Sequence, residues 1–338
     1  MKRFRIAHVI PQMNPAGGIE VAIAKSLKDL NIDFDYQVFY AKKRGGVDLG
    51  QRSIWRLFSE ILWVRSKRPN LIVTSLWWAH PVGILAQSLG LKWAAFFHCA
   101  GYAHPVDRIL QRLSWKKARF ALVDSRATGL YMTQWGERHW EVIPYFFPSI
   151  EGTKDWAHRS IDLVWAARLS PQKRIDTLIA FLKLSEKKLG RRKVVIVTSG
   201  GTDEDLNRLV AESGHDIRLE SSLANEALLT IFRDSKFYLQ FSDFEGMSMT
   251  TLEAMTSGCV AVVRRVGEML EYLEPQNCVE VMSDQPDDLE SVLERILTLS
   301  QNPAAAAALV HRSQQAAARL PGYTESFRQV MGRLAAIP

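Results

Sequence analysis

Glu245-Gly246-Met247-Ser248-Met249-Thr250-Thr251-Leu252-Glu253 is the stretch on which the reading of this chain turns. It follows a strand-like run, Phe237-Tyr238-Leu239-Gln240-Phe241, and opens a helix-like run that closes near Gly258. A strand that feeds a helix through a turn containing Gly and Ser leaves backbone N–H groups unpaired at the positive end of the helix dipole. Such a helix start suits a phosphate. With a helix beginning near Ser248, Glu253 falls more than a turn inside it while Glu245 stays on the incoming loop. Eight helical steps span about 12 Å, so the two carboxylates can reach opposite ends of a nucleotide diphosphate: its ribose and whatever its phosphates carry. Two Glu on an ordinary surface helix would simply be solvated, so the surrounding sequence has to decide.

That surrounding sequence alternates strand and helix patterns throughout. Strands are predicted at Phe4–Ile10, Tyr36–Tyr40, Leu71–Ser75, Trp93–Phe97, Phe120–Asp124 and Trp140–Ile143, with helices at Ile19–Leu30, Ile54–Arg65, Pro81–Leu89, Val106–Lys116 and Ala127–Gln134. A loop from Pro144 to His158 reads as a linker. Alternation resumes with Leu163–Ala166, a helix over Gln172–Lys188, Val194–Thr198, Glu204–Glu212, Ile217–Leu219 and Glu226–Arg233. The Glu-bracketed helix, Val260–Val263 and Cys278–Val281 follow, then helices at Asp287–Leu299, Ala304–Arg319 and Thr324–Ala336. The expectation is α/β: two Rossmann-like doubly wound domains, residues 1–150 and 151–320, facing across a cleft. Residues 321–338 form a last helix that packs back toward the first domain.

Composition excludes several classes. At 338 residues, 47% hydrophobic and 23% charged, the chain has ample core for two soluble domains. Cys99, Cys259 and Cys278 form neither a disulfide framework nor a zinc spacing, and their apolar surroundings predict buried, reduced thiols in a cytoplasmic compartment. The most apolar stretch, Val82 to Tyr102, is broken by Gln87, Ser88 and Lys92 and does not read as a membrane span. Charge is lopsided: residues 1–150 carry 21 Lys/Arg against 10 Asp/Glu, and the remainder 22 against 26. A basic first half asks for an anionic partner.

Further candidates sit at predicted strand ends. Pro15-Ala16-Gly17-Gly18 follows the first strand and, lacking the G-x-G-x-x-G spacing, does not favour a nicotinamide cofactor. Paired glycines permit close backbone approach to a ligand, or simply punctuate a turn. Arg168 and Lys173, after the first strand of the second half, can clamp a diphosphate; a solvated basic loop is the plain alternative. His98 ends the Ala94-Ala95-Phe96-Phe97 run and can hydrogen-bond a hydroxyl, buffer a proton, or serve structure only. No histidine spacing suggests a catalytic metal.

Taken in order, these pieces resemble the family-4 group of GT-B retaining glycosyltransferases. The resemblance rests on the paired-Gly loop, His98, Ser125 before a helix, Arg-x4-Lys from Arg168 to Lys173, and Glu245-Gly246 through Leu252-Glu253-Ala254-Met255 to Gly258. It covers essentially the full length. It implies transfer of a sugar, with retention and without metal or other cofactor, from a nucleotide-sugar to a glycan or polyprenyl-linked acceptor in cell-surface polysaccharide synthesis. UDP is favoured over GDP. Carried over by position, Arg168 and Lys173 bind the diphosphate. Glu245 and the amides of Gly246, Met247 and Ser248 hold donor sugar and phosphates, and Glu253 takes the ribose. His98 lies by the sugar, and Gly17 and Gly18 line the first domain's edge. Two departures stand out: Pro144-Tyr145-Phe146 replaces a Pro-Asn-Gly, and Glu268 follows Gly267 where a second Gly is usual.

Two segments, Arg52–Arg68 and Val106–Arg119, mix Lys/Arg with Trp55, Phe58, Leu62 and Trp63, or with Ile109, Leu113 and Trp115. Each reads either as an ordinary core-facing helix or as a contact for an anionic membrane, placing the protein peripherally on the inner face. Two other functions stay open: a non-NAD nucleotide-sugar epimerase, and a non-catalytic anion or nucleic-acid binder. The second lacks any RRM, KH or helix-turn-helix signature, so no nucleic-acid partner is expected.

Overall fold

A computed structural model describes residues 3–11, 18–40, 43–44, 47–48, 61–98, 100–102, 104–147, 154–199, 204–221 and 223–337. The chain divides into two compact units, residues 1–147 with 321–338 and residues 148–320. Gly17, Cys99 and the start of the expected Ile54–Arg65 helix lie outside the described residues.

The first unit is built on β1 (Arg5–Ile10), β2 (Asp35–Tyr40), β5 (Leu71–Ser75), β6 (Trp93–Phe97), β7 (Phe120–Val123) and β8 (Glu141–Val142), all parallel, in the order β2-β1-β5-β6-β7-β8. A two-residue pair, β3 (Lys43–Arg44) with β4 (Val47–Asp48), is antiparallel; such short strands leave no periodicity to read. Side chains alternate between two buried faces, which is why the strands read as continuous apolar runs. Ile6, Ile10, Leu71, Val73, Ala94 and Phe96 pack under α1 (Gly18–Asp33) and under residues 323–335. Ala7, Val9, Ile72, Ala95 and Phe97 pack under residues 61–66, α2 (His80–Ser88), α3 (Pro105–Lys117) and α4 (Arg126–Met132).

In the second unit β9 (Ile161–Arg168), β10 (Lys193–Ser199), β11 (Asp216–Ser221), β12 (Ser235–Gln240), β13 (Val260–Val263) and β14 (Val279–Glu280) run parallel in the order β11-β10-β9-β12-β13-β14. Helices α5 (Ile175–Leu189), α6 (Glu204–Glu212), α7 (Asn225–Arg233), α8 (Met249–Thr256), α9 (Met269–Tyr272), α10 (Pro286–Gln301) and α11 (Pro303–Ala318) accompany them. Leu163, Trp165, Ile196, Leu239 and Val262 meet Phe181, Leu206, Leu293 and Leu309 in one core. β9 and β12 are neighbours whose order reverses on either side, so their carboxyl ends form a topological switch point. Ligands of doubly wound sheets bind at such points. The chain then enters the first unit again in α12 (Tyr323–Ala335).

One expectation needs correction. The helix placed over Gln172–Lys188 begins only at Ile175: Pro171–Lys173 is a 3-10 turn and Arg174 is left-handed at φ 51°. Within the Pro144–His158 stretch the division between the two units falls after Phe147, and Phe146 and Trp156 on either side of it are buried. Among the described residues, no helix is long and apolar enough to cross a membrane.

Candidate functional site

The site forms where the loops after β9 and β12 are sewn together. Asp243 N–H donates to Gln172 O (3.0 Å), Gln172 Nε2 donates to Phe244 O (2.5 Å), and Arg174 Nη1 pairs with Asp243 Oδ1 (3.1 Å). These three ties bring Lys173 to Glu245 across 72 residues: Nζ donates to Oε1 at 2.5 Å, with both side chains largely buried. Gln240, the last residue of β12, donates to the same Oε1 (3.1 Å) and to Ser248 Oγ (3.4 Å).

Ser248 precedes α8 in a left-handed conformation (φ 54°, ψ 65°) and makes no side-chain cap to the helix; its Oγ instead lies 2.8 Å from Thr251 Oγ1. A non-glycine residue held there stores about 1–2 kcal/mol of strain. Without a side-chain cap, the first-turn N–H groups of α8 have no intrahelical partner and present a partial positive charge. At the other end of the helix the buried Arg159 donates to Gly258 O (2.6 Å), Ser235 O (2.7 Å) and Ser257 O (3.5 Å), a cation placed where the helix dipole is negative. Glu253 is half-buried inside α8, and its Oε1 accepts from Asn225 Nδ2 at 2.9 Å.

The loop after β13 forms the floor. Gly267 sits at φ +62°, and a Cβ built there would lie 2.1 Å from Glu245 O. Only glycine fits both the angle and the space. Glu268 N–H donates to Gly246 O (3.1 Å), and Tyr272 Oη donates to Met247 O (2.9 Å). The Glu268 substitution therefore leaves the loop's main chain bound to the bracketed turn. Burial first, and the Glu245 charge next, push the Tyr238 and Tyr272 hydroxyls up, so both stay protonated donors.

Cations around the site divide into two sets. Arg174 pairs with Asp176, Asp243 and Asp284 (2.8, 3.1 and 2.7 Å), and Arg264 with Asp243 (2.9 Å) and Asp284. The hydrogen bond from Arg174 is the main reason the Asp176 carboxyl is held below its usual range. Arg168, at the carboxyl end of β9, is exposed, and its side chain has no hydrogen-bond or ion-pair partner among the described residues.

In the first unit His98 follows β6, its ring against Phe96 (4.1 Å between centroids) and Tyr145 (5.5 Å). Both ring nitrogens are shielded from solvent with no hydrogen-bond partner among the described residues. Burial is the main reason that its pKa is held well below 6.5. It is a neutral imidazole, one donor and one acceptor, so of the roles read from the sequence the proton buffer is set aside. Gly18 is the first residue of α1.

The structure thus joins Lys173, Glu245 and the turn Gly246–Met247–Ser248, with Glu253 on the following helix and Arg168 on the adjoining strand end. Gln240, Asn225, Gln172, Arg159 and Tyr272 were missed because none belongs to a spaced motif. The one signal for Gln240 was a polar residue directly after the apolar run Phe237-Tyr238-Leu239.

Residues 149–316 match the model of the family described as glycosyl transferases group 1. Two curated relatives are UDP-N-acetylglucosamine–peptide N-acetylglucosaminyltransferase GtfA subunits. That of Streptococcus parasanguinis is 28% identical over 130 residues, 37% of this chain and 25% of that protein; that of Streptococcus agalactiae is 30% identical over 108 residues, 31% and 21%. The match thus spans about a quarter of the curated relatives' length. Among solved structures, sucrose-phosphate synthase from Thermosynechococcus elongatus gives a TM-score of 0.76 at 17% identity over 98% of both chains. Anabaena HepE in complex with UDP and glucose gives 0.74 at 17% identity over 99% of this chain and 100% of that one. These likenesses establish the α/β fold as that of GT-B glycosyltransferases.

Proposed function

Taking the chain as a GT-B glycosyltransferase, which the family match and the fold likeness both support, we propose that it transfers a sugar from a nucleotide-sugar to a hydroxyl. The donor is a UDP-sugar in preference to a GDP-sugar, because the curated relatives are named for UDP-N-acetylglucosamine and HepE was solved with UDP and glucose. The acceptor is a glycan or polyprenyl-linked glycan of cell-surface polysaccharide synthesis, made at the anionic inner face of a membrane.

The observation that carries this reading is the Lys173–Glu245 pair beside the uncapped start of α8, at the switch point of the second sheet. The first-turn amides and the unpartnered Arg168 supply positive charge for a diphosphate, and Lys173 adds a second cation at the same place. Glu245 takes hydroxyls of the donor sugar, and Glu253, oriented by Asn225, takes those of the ribose. The neutral His98 of the first unit serves as a hydrogen-bonding group for a sugar hydroxyl. Transfer proceeds with retention and without metal. The acceptor hydroxyl attacks C1 on the leaving-group face, the C1–phosphate oxygen bond breaks, and the departing phosphate takes the hydroxyl proton. Fixed cations that meet the charge growing on the phosphate supply the acceleration, each such donor contributing about 10²–10³ in rate.

Calorimetry with UDP, GDP and ADP, followed by assay of sugar release from UDP-sugars, tests it. Binding of UDP that Lys173→Met weakens is expected; indifference to all three nucleotides overturns the reading.

A further inference from the structure

α3 is amphipathic the wrong way round. Its inward positions are Asp107, Gln111, Ser114 and Trp115, all buried, with Gln111 Nε2 donating to Asp107 Oδ1 at 2.6 Å and to Gly101 O at 3.3 Å. Its outward positions carry Val106, Ile109 and Leu113, exposed by 45%, 58% and 40%. Spaced three and four apart, these lie on one helical stripe. Arg108, Arg112, Lys116 and Lys117 are exposed on the same helix, with Arg119 just beyond it, and its one acid, Asp107, is turned inward. A soluble helix places its apolar stripe inward, so this outward face asks for a cover.

Aromatic residues extend the stripe at its N-terminal end. The His104 ring, whose Nδ1 caps α3 by accepting from Val106 N–H, stacks on Trp77 (6.5 Å, 7°), and Trp77 stacks on Trp78 (4.3 Å, 27°). Trp78 and Tyr102 are exposed, and the Arg108 guanidinium lies over the Tyr102 ring at 5.2 Å. Trp and Tyr combine an apolar body with a polar tip, which suits the boundary between lipid headgroups and acyl chains.

We propose that this face, α3 with Trp78 and Tyr102, is a docking surface for an anionic lipid bilayer. The aliphatic stripe enters the headgroup boundary and the flanking arginines and lysines meet lipid phosphates. Charge selects this occupant. A second copy of the chain docked symmetrically on the same face would set its row of cations against an identical row. A nucleic acid would leave the aliphatic stripe without a partner. The surface lies wholly in the first unit, so it stands or falls separately from nucleotide binding in the second.

The test uses the purified full chain and co-sedimentation with vesicles of equimolar phosphatidylcholine and phosphatidylglycerol, against phosphatidylcholine alone. Binding to the anionic vesicles that weakens with added salt is expected. Ile109→Glu with Leu113→Glu, and separately Arg112→Glu with Lys116→Glu, should each lower vesicle affinity by about tenfold or more. All four positions are exposed, and unchanged UDP binding and circular dichroism verify that the variants fold. Three results overturn the proposal: no binding to anionic vesicles at low salt, equal binding by the variants, or a dimer that the Ile109/Leu113 variant dissolves.

Discussion

Lys173 and Glu245 are each other's charge partner, joined at 2.5 Å in a largely buried setting where Gln240 donates to the same carboxylate oxygen. Removing either strands the other charge away from water. Lys173→Met and Glu245→Gln are each expected to destabilise the protein by about 3 kcal/mol and to lower transfer by about 10²-fold or more. The double variant should lose less stability than the two singles together, because neither charge is then stranded. Urea unfolding and steady-state transfer measure both effects; strict additivity, or near-normal turnover in a single variant, contradicts the assignment.

Gly267 is the strictest position in the floor. Gly267→Ala would drive a methyl group into Glu245 O and require a side chain at φ +62°. A loss of about 1–3 kcal/mol is expected, with weaker UDP-sugar binding because the Glu245 main chain must move. Calorimetry on the variant checks it, and donor affinity equal to wild type would show that the floor does not shape the site.

Arg174 is left-handed and bound by three carboxylates. Arg174→Ala loses the ion pairs and keeps the strain, whereas Arg174→Gly loses the pairs and relieves it. The glycine variant should therefore be more stable than the alanine variant by about 1 kcal/mol. Both should weaken donor binding, since the Asp243 tie that sets the Lys173 turn is gone. Equal unfolding midpoints for the two variants would mean that the turn relaxes out of its left-handed state.

Helix and strand positions were legible because the central strands are buried on both faces, and β1, β5 and β6 therefore read as nearly unbroken apolar runs between helix patterns. Lys173 and Glu245 could be picked out as candidates by motif and strand-end position. Their contact could not, because it is made by Gln172, Arg174 and Asp243, which meet only once β9 and β12 lie side by side. The start of α5 was misplaced by three residues because nothing in Pro171-Gln172-Lys173 distinguishes a 3-10 turn from a first helical turn, while Arg174's angle depends on partners 69 and 110 residues further along. Asn225 beside Glu253 and Tyr272 beside Met247 are likewise products of tertiary packing.

Acid should weaken the first unit before the second. Burial lowers the pKa of His8 and His80 from 6.5 to about 3, and holds His98 well below 6.5. Each is neutral in the fold and takes up a proton in the unfolded chain, so the unfolded state binds more protons as pH falls below 6.5. The stability these histidines contribute is full above that pH and is lost progressively toward about pH 3. Each adds a slope of about 1.4 kcal/mol per pH unit within that window. His80→Gln should flatten the pH dependence of the urea midpoint by one such increment, and an unchanged slope would show that His80 titrates normally.

α12 sets an order on assembly. Tyr323, Phe327, Val330, Met331 and Leu334 belong to the same core as Ile6, Leu71 and Phe96, and the Phe327 ring stacks on the buried His8. A ribosome delivers residues 148–320 before it delivers these five, so the second unit has its whole core in hand while the first still has one sheet face covered only in part, by α1. Each missing side chain withholds about 1.5–3 kcal/mol of burial. The first unit, although translated first, should become protease-resistant last, reversing the N-terminal-first maturation usual for multidomain chains.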